Sequence, residues 1–532
     1  MFKIILSVII LSIAIIANGD VNYQLHHQND RIHVIADFGK QDKNIVELHV
    51  PHIICGTNYD KQIKNLKLQN GSYNVKKSIT TTKNHSENLI IEYDLVNSED
   101  CKKTLTDKYY HFFDKDKFYL IGHGAFIYPK NLSDKENITI NINSDAKEII
   151  INNENKSIVT RAINTKLENL NATLIFGSNE FNRKIFNKDL DIIIWGDNTD
   201  SSKSLFDITN KIVKIQKNFW KDRDFKKTIV FIINPFSDEN KIWGATNFGN
   251  LMLNFVSPNA IQYKDFKNFL AHENFHTWFR ANMGFIAGPK YFTEGFTDYF
   301  AHLINMQNKV ISKDDFIKKY NKVLNRYFSS LYKDATDEET ENMFWWRKDA
   351  QRIPYVKGFI IAHELDLKIQ AISNNKYSLK DIFFAMLKEA RVTKSKLIFS
   401  PELLLSYIKK VTEQDLSQEL QSILKPNMMD LNNKILRNYS LNYKDIQIID
   451  YEFDYIKSIS CKGPARIIGL KKDSNPYKAG LRNNQKFTGI RSSISNYEDL
   501  SQNKCEIEMK LQNKKVIKYI PKTKTIQIPF YK

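Results

Sequence analysis

Two histidines and the glutamate between them have the spacing needed to hold and use a metal ion. The segment 272–276 reads His-Glu-Asn-Phe-His, so His272 and His276 are four residues apart and Glu273 follows the first histidine. On a helix, residues four apart lie on one face, where both imidazoles could bind the same ion. Glu273 would then face the water on that ion and could accept its proton. The alternative is a chance pair of helix histidines, because this short motif alone is weak evidence.

A second segment supplies a third ligand of the right chemistry. Glu294 begins a stretch whose apolar residues recur at helical spacing, which puts a carboxylate at the start of a second helix. Two imidazoles and one carboxylate leave a fourth position open, as in catalytic zinc sites, whereas structural zinc sites are closed and mostly cysteine-rich. Asp298, one turn later, is expected to accept the free N–H of a zinc-bound imidazole. The sequence therefore predicts one catalytic Zn²⁺ per chain.

The elements that must position these side chains are helices. The segment 263–271 carries apolar residues at helical spacing, which places the histidine motif inside a helix. Upstream, 191–196 and 227–235 have the pattern of buried strands, with an amphipathic run over 205–220 between them. Downstream, the pattern stays helical to about residue 426, with candidate helices at 314–327, 356–372, 379–390 and 401–411. A small mixed sheet leading into a helix bundle is predicted.

Two further regions have the pattern of strands. Residues 20–165 contain short alternating apolar runs separated by turn residues, which predicts an N-terminal antiparallel β domain. The chain from about residue 445 to 532 returns to strands. With 532 residues, of which 42% are hydrophobic, the chain has room for about three domains. The expected fold class is multidomain α+β.

These motifs resemble one peptidase family. His272-Glu273-x-x-His276 with Glu294-Gly-Phe-Thr-Asp298 is similar to the glycyl aminopeptidase family (M61) of gluzincin zinc metallopeptidases. The run Tyr355-Val-Lys-Gly resembles the start of a helix in gluzincin aminopeptidases, where the tyrosine hydroxyl stabilises the tetrahedral intermediate. The resemblance implies that residues 166–430 form a thermolysin-like zinc metallopeptidase domain. It also implies that Tyr355 is a catalytic residue beside the general base Glu273.

The chain departs from that family at two places. Seventeen residues separate His276 from Glu294, where the leukotriene-hydrolase-like gluzincins usually have eighteen. A turn-rich connection absorbs a one-residue change, so zinc ligation is still expected. The second departure lies in the substrate-binding stretch, which includes Gly244, Ala245 and Asn247. Gluzincin aminopeptidases have a glutamate at the position of Asn247 to hold the substrate α-ammonium. The chain is therefore expected to hydrolyse peptide bonds as an aminopeptidase-like enzyme, with endopeptidase activity or cleavage of N-terminally blocked peptides as the alternative.

The family also implies where the substrate and a C-terminal domain lie. A strand beside the zinc receives the substrate backbone as an added strand, and 246–255 is the candidate. In the tail, 464–470 and 473–481 resemble the strand, turn and helix end of a PDZ domain, with Asn484 and Gln485 in place of the usual Gly-Asp. Such a domain would bind the C-terminal segment of a peptide. A non-catalytic peptide-binding protein is therefore the alternative from another functional class.

The first nineteen residues have the pattern of a secretory signal. A charged start precedes an apolar run over 4–16 and then Ala17-Asn18-Gly19, so cleavage would leave Asp20 as the first residue. The protein is expected to be exported, periplasmic or secreted. An uncleaved membrane anchor is the alternative, although the run is short for spanning a bilayer. No later segment approaches a transmembrane length.

Charge and cysteines bound the remaining possibilities. The formal net charge is +18, but lysines are scattered along the chain without a dense basic block, so nucleic-acid binding is not expected. Export makes disulfides plausible for the four cysteines. Of the three possible connectivities, Cys55–Cys101 with Cys461–Cys505 keeps each bridge within one predicted domain. The alternative is four free buried thiols.

Overall fold

The structure, a computed structural model, describes most of the chain between residues 21 and 532. The described residues are 21–41, 45–51, 53–54, 57–58, 61–74, 79–82, 88–97, 111–153, 156–179, 182–186, 189–195, 199–233, 243–248, 250–257, 260–279, 286–330, 332–344, 348–393, 397–416, 439–456, 465–492 and 506–532. The predicted signal segment lies outside them, as do all four cysteines. Two units are present: Met1–Asp207 with Phe225–Gln262, and Ile208–Asp224 with Tyr263–Lys532.

The first unit is built mainly of strands. Its elements, together with the helix α3 whose residues from Ile208 on belong to the second unit, are β1 (Val21–Gln28), β2 (Arg31–Lys40), β3 (Ile45–His49), β4 (Ile53–Ile54), β5 (Thr57–Asn58), β6 (Ile63–Leu68), β7 (Gly71–Asn74), β8 (Ile79–Thr82), β9 (Asn88–Val96), β10 (Phe112–Asp114), β11 (Lys117–Ile121), α1 (Gly122–Ala125), β12 (Tyr128–Pro129), β13 (Asn137–Asn143), β14 (Glu148–Asn153), β15 (Lys156–Val159), β16 (Ala162–Lys166), α2 (Leu167–Leu170), β17 (Leu174–Ser178), β18 (Asn182–Phe186), β19 (Leu190–Trp195), α3 (Thr199–Phe219), β20 (Lys227–Ile233), β21 (Trp243–Phe248) and β22 (Leu251–Val256).

Alternating burial explains the largest sheet of this unit. Its six strands have the order β16-β13-β1-β2-β9-β6. Along β2, every second side chain is buried, beginning with Ile32 and Val34, because successive side chains of a strand point to opposite faces. The sheet is antiparallel except for the pair β1 and β13, which run parallel. The buried faces form one continuous apolar core with the strands around them.

A second, mixed sheet of the first unit has the order β18-β19-β20-β22-β21. The central strands β19, β20 and β22 are parallel, and every residue of β20 and β22 is buried. Fully apolar runs are typical of strands covered on both faces. The expectation of one strand over 246–255 was wrong, because β21 and β22 form an antiparallel hairpin in which Asn247 pairs with Met252. A turn at Asn250 separates the two strands.

The second unit is helical in its first part and returns to strands in its tail. In chain order it contains α4 (Lys264–Phe275), β23 (Ile286–Ala287), a π-helical turn (Tyr291–Phe296), α5 (Thr297–Gln307), α6 (Lys313–Phe328), α7 (Asp337–Met343), α8 (Lys348–Ile372), α9 (Leu379–Thr393), β24 (Leu397–Ile398), α10 (Pro401–Thr412), β25 (Leu441–Asp450), β26 (Asp454–Ile456), β27 (Ala465–Ile468), α11 (Asn475–Lys478), β28 (Lys486–Ser492), β29 (Ile507–Leu511), β30 (Val516–Tyr519) and β31 (Lys522–Tyr531).

Capping residues account for where α6 and α10 begin. The Ser312 side chain accepts a hydrogen bond from the Asp315 amide, and the Asp315 side chain accepts one from the Ser312 amide. This reciprocal capping box satisfies two amides that the first turn of α6 leaves without helical partners. In α10, Ser400 caps the helix and Pro401 occupies the first turn, where its missing N–H costs nothing.

The tail contains a two-stranded ribbon and a separate sheet. In the ribbon, β25 and β31 pair antiparallel over ten residues each. The sheet has the order β26-β27-β28-β29-β30 and encloses a small core that includes Ile467, Leu481 and Met509. Within the described ranges, no helix is both long and apolar enough to cross a bilayer.

Candidate zinc site

The two histidines of the motif lie at the C-terminal end of α4. His272 belongs to the last turn, and His276 is the residue that caps the helix, with helical dihedral angles. The imidazole rings therefore stay on one face, with centroids 4.8 Å apart and planes at 89°. The structure thus brings together the two rings that the helical spacing predicted on one face.

Glu294 reaches the same point from the π-helical turn. Its Oε2 atom lies 3.4 Å from Nε2 of His272 and 3.5 Å from Nε2 of His276. The three potential ligand atoms all lie within 4.8 Å of one another. With zinc–ligand bonds of about 2.0–2.2 Å, neighbouring ligands of a tetrahedron are about 3.4 Å apart. The donor set and its spacing thus fit Zn²⁺. π-Helical turns are rare and recur at functional sites, and here one carries a candidate ligand.

The other ring nitrogens have partners that leave both Nε2 atoms available for a metal. Nδ1 of His276 lies 3.0 Å from the Phe279 carbonyl oxygen, so it must carry the proton and donate it. Nδ1 of His272 faces Oδ1 of Asp298 at 3.5 Å. A ligating histidine usually donates its second N–H to a carboxylate or a carbonyl, which fixes the ring and its tautomer. The structure thus brings the Asp298 carboxylate to the Nδ1 side of the His272 ring.

The electrostatics of the site favour a bound cation. Burial alone would lower the pKa of His272, but the carboxylates of Asp298 and Glu294 outweigh it and raise that pKa to about 10. Burial alone would raise the pKa of the Glu294 carboxyl, but the adjacent His276 and His272 hold that pKa well below the ordinary value. The site is therefore built for a positive charge, which a zinc ion would supply.

Tyr355 and Glu273 border the ligand cluster. The Tyr355 ring stacks near His272, with centroids 5.9 Å apart and planes at 24°, and its hydroxyl is hydrogen-bonded to Glu294. Burial, followed by the charges of Glu294 and Glu273, raises the pKa of Tyr355 well above its usual value. The phenol therefore keeps its proton and can donate a hydrogen bond. Glu273 is half-buried, and its charge acts on both His272 and Tyr355.

A close backbone contact brings Tyr355 next to Glu294. Gly295 follows Glu294 on the π-helical turn, and Gly358 lies one turn after Tyr355 on α8. A Cβ atom added to Gly358 would lie 1.8 Å from the Tyr291 carbonyl oxygen, and one added to Gly295 would lie 2.4 Å from the Gly358 Cα. Only glycine allows the two backbones to approach this closely.

The motif helix rests on polar and aromatic contacts from α3. Gln216 donates to the Ala271 carbonyl at 2.8 Å, and Asn274 donates to the Gln216 side-chain oxygen at 2.7 Å. Beside them, Trp220 packs against Phe275 and against other buried rings of the second unit. Ordered neighbours of this kind hold metal ligands in a fixed geometry.

Sequence reasoning missed Lys319. Its Nζ atom lies 2.9 Å from Oδ2 of Asp298, and the same carboxylate also faces Nδ1 of His302 at 3.3 Å. Lys319 belongs to α6, which is separated in sequence from every motif residue. No local spacing points to such a pairing, but a lysine on a half-buried position of an otherwise apolar helix face is a weak signal.

The residues predicted to bind substrate lie in the first unit. Gly244, Ala245 and Asn247 are all on β21, the edge strand of the mixed sheet, and the Asn247 side chain is buried. Edge strands have one free side at which an extended peptide can pair. Their role in substrate binding stays a prediction.

The comparisons identify the fold. A crystal structure of an aminopeptidase N family protein from Idiomarina loihiensis superposes with a TM-score of 0.66 at 14% sequence identity, over 95% of this chain and 98% of that chain. Native leukotriene A4 hydrolase from Saccharomyces cerevisiae is also similar, with a TM-score of 0.41 at 13% identity, over 78% of this chain and 67% of that chain. No protein-family model matches the sequence, and no curated protein matches it. The chain has a multidomain α+β fold like that of the first of these structures.

Proposed function

We propose that this chain is a zinc-dependent peptidase that hydrolyses peptide bonds. The observation that carries the proposal is the convergence of two imidazole Nε2 atoms and one carboxylate oxygen within 4.8 Å of one another. Both Nδ1 atoms are engaged elsewhere, which leaves the Nε2 lone pairs for the metal. The fold shared with an aminopeptidase N family protein supports the same reading.

His272, His276 and Glu294 would hold the zinc, which when bound polarises the peptide carbonyl and acidifies a water molecule. Glu273 then accepts a proton from the attacking water at its carboxylate and transfers it to the nitrogen of the leaving amine. Tyr355 keeps its proton at the hydroxyl and donates a hydrogen bond to the oxygen on which negative charge develops.

Asn247 bears on whether the enzyme needs a free N-terminus in its substrate. The chain resembles the glycyl aminopeptidase family (M61) within the wider gluzincin group, whose aminopeptidases have a glutamate at this position that binds the α-ammonium of the substrate. An amide can accept a hydrogen bond there but cannot neutralise the charge, and a buried unpaired charge is costly. Activity on N-terminally blocked peptides, at least comparable to that on free ones, is proposed.

Two proposals concern the rest of the chain. The sheet β26-β27-β28-β29-β30 has the PDZ-like sequence pattern of the predicted domain 445–532 and would bind a peptide end.

Export of the protein, with removal of residues 1–19, is proposed from the signal-like start. Fractionation of cells that produce the full chain, with sequencing of the mature N-terminus, tests export.

Hydrolysis of a matched pair of peptides tests the proposed function. One peptide has a free amine and the other is N-acetylated, and kcat/KM is measured for both before chelation, after chelation and after zinc is restored. We expect cleavage that chelation abolishes and zinc restores, with a free-amine preference below about a hundredfold. The absence of zinc-dependent cleavage of any peptide in a library would contradict the proposal. A larger free-amine preference would show a true aminopeptidase, which Asn247→Glu is expected to approach.

A further inference from the structure

Three consecutive residues of α6 make contacts in different directions. Lys319 reaches toward the zinc site, where its Nζ lies 2.9 Å from Oδ2 of Asp298. Tyr320 is fully buried, and Asn321 contacts β31. One turn of this helix therefore touches both the carboxylate behind a zinc ligand and the ribbon of the tail.

The Asp298 carboxylate has separate partners for its two oxygens. Oδ1 faces Nδ1 of His272 at 3.5 Å and Nδ1 of His302 at 3.3 Å, while Oδ2 pairs with Lys319. His302 also contacts the main-chain oxygen of Asp298 at 2.7 Å, the shorter of its two contacts with that residue. Lys319 thus occupies the side of the carboxylate opposite to the zinc ligand and fixes which oxygen faces His272.

The Lys319–Asp298 pair is shielded from water. The exposed fraction of the side chain is 28% for Lys319 and 13% for Asp298. In such surroundings the removal of one partner leaves the other charge without compensation, which costs far more than the loss of a surface pair. A carboxylate that has lost its cation would turn away from this position, and His272 would lose the group that orients its ring.

The ribbon holds the turn of α6 from the other side. Asn321 Nδ2 donates to the Tyr531 carbonyl at 2.8 Å, and the Tyr531 amide donates to Asn321 Oδ1 at 2.7 Å. The side-chain amide therefore pairs with β31 as a neighbouring strand would. The Tyr320 ring also stacks on Tyr531, with centroids 5.5 Å apart and planes at 24°. The position of β31 and the position of this turn are coupled.

We propose that Lys319 is a positioning residue of the zinc site and that β31, through Asn321, holds the helical turn that carries it. The proposal rests on the zinc site of the proposed function, but its test is metal affinity and not peptide cleavage. Zinc binding without peptidase activity would therefore contradict the proposed function alone. An unchanged affinity in the Lys319 variants would contradict this inference alone.

The dissociation constant for zinc, measured on the full chain by competition with a chelator, tests the role of Lys319. Lys319→Met keeps most of the unbranched side chain and removes its charge, and Lys319→Gln is the second variant should the methionine variant not fold. Lys318→Met is the matched control, because Lys318 is the exposed neighbour on the same helix. The loss of a partner behind a metal ligand typically weakens binding 10- to 100-fold, so we expect roughly that loss at position 319 and no change at 318.

A spectroscopic signature separates positioning from simple stabilisation. The absorption bands of Co²⁺ bound in place of zinc report the ligand geometry, and we expect them to shift in Lys319→Met and to return toward the parental positions in Lys319→Arg. A folded Lys319→Met protein with a zinc affinity within about twofold of the parent and an unchanged cobalt spectrum would overturn the inference, even if its melting temperature fell.

Asn321→Leu tests the coupling to the ribbon. The substitution removes both hydrogen bonds to Tyr531 and leaves every residue of the zinc site in place. Coupling through packed elements is typically modest, so we expect zinc binding to weaken between about 2- and 30-fold, with the cobalt bands shifted in the same direction as in Lys319→Met. A variant that unfolds more easily but binds zinc with parental affinity would show that the ribbon supports stability alone.

Discussion

At the scale of single residues, the proposed reaction depends on protons held at stated atoms. The carbonyl of Phe279 keeps a proton on Nδ1 of His276, so Nε2 remains a lone-pair donor. The raised pKa of Tyr355 keeps its phenol protonated at neutral pH. The oxyanion donor therefore has the protonation state that the chemistry needs before a substrate arrives. His272, whose pKa is raised to about 10, must give up its Nε2 proton when zinc binds.

Tyr355→Phe tests the oxyanion role. The substitution keeps the ring that stacks near His272 and removes only the hydroxyl. A hydrogen bond that strengthens in the transition state affects kcat more than KM, and the loss of one such donor typically lowers kcat about 10²–10³-fold. Steady-state kinetics on a zinc-loaded protein measure this change. A kcat equal to that of the parent would remove Tyr355 from the site.

The residues that could be predicted from sequence are those joined by local periodicity. His272 and His276 share a helix, and the four-residue spacing alone puts their rings on one face. Lys319 could not be predicted, because its pairing with Asp298 depends on how α6 packs against α5. Tertiary contacts of this kind have no signature in the spacing of nearby residues.

At the scale of elements, the π-helical turn and α8 form one support for the site. Their backbones meet at Gly295 and Gly358, so a ligand and the candidate oxyanion donor are fixed relative to each other. The sequence indicated a helix over 314–327, and the structure has α6 at Lys313–Phe328, because the apolar periodicity and the capping serine agree. The contact between the two glycines was not predictable, since it joins residues distant in sequence.

Gly358→Ala is expected to destabilise the protein and to disturb the site. Helix propensity alone would favour alanine by about 1 kcal/mol. The new methyl group would instead lie 1.8 Å from the Tyr291 carbonyl oxygen, and overpacking of this kind typically costs about 1–3 kcal/mol or more. Denaturant unfolding and zinc affinity measure the two effects. A variant more stable than the parent would show that the backbones can separate without cost.

His363 of α8 is expected to make the second unit sensitive to acid. Its ring is fully buried among Tyr299, Phe316 and Tyr320, and neither ring nitrogen has a hydrogen-bond partner among the described residues. Burial lowers the pKa of His363 to about 3. The unfolded chain, with a histidine pKa of about 6.5, then binds the proton first. The contribution of His363 to stability is therefore constant above pH 6.5 and falls as the pH drops toward 3.

The free energy of unfolding of the parent and of His363→Leu, measured at pH 5.0 and 7.5, tests this effect. Both proteins are kept in chelator to remove metal binding. From the difference in pKa, about 2 kcal/mol of stability should be lost at pH 5 through this residue. Between pH 7.5 and 5.0, the free energy of unfolding of His363→Leu should fall by about 2 kcal/mol less than that of the parent. An equal loss of stability in both proteins would mean that protonation of His363 does not contribute to acid destabilisation.

At the scale of the whole molecule, the sequence predicts two disulfide bridges. Cys55, Cys101, Cys461 and Cys505 lie outside the described residues. The pairs Cys55–Cys101 and Cys461–Cys505 would each close a loop of about 45 residues, for which chain entropy gives roughly 4 kcal/mol. Mass spectrometry of unreduced peptides from exported protein is expected to find both bridges. Four thiols open to alkylation in that material would count against the bridges and against export.

The multidomain α+β class could be predicted because the chain changes pattern twice along its length. Alternating runs such as β2 give way to helical spacing at α4, and strands return at β25. The single strand over 246–255 was predicted wrongly, because the family resemblance that suggested it gives no strand boundaries. Asn250, a turn residue, divides the segment into two paired strands. Pairing between strands distant in sequence, such as β1 with β13, also had no local signal.

The most direct test of the central claim is kcat of Glu273→Gln at a measured zinc content. The glutamine amide cannot accept the proton from water. Residue 273 is not one of the proposed zinc ligands, so elemental analysis should find one zinc per chain in the variant, as in the parent. General-base loss typically lowers turnover by roughly 10²–10⁴, and we expect a decrease in that range with zinc retained. A zinc-loaded variant that cleaves peptides at the parental rate would contradict the account.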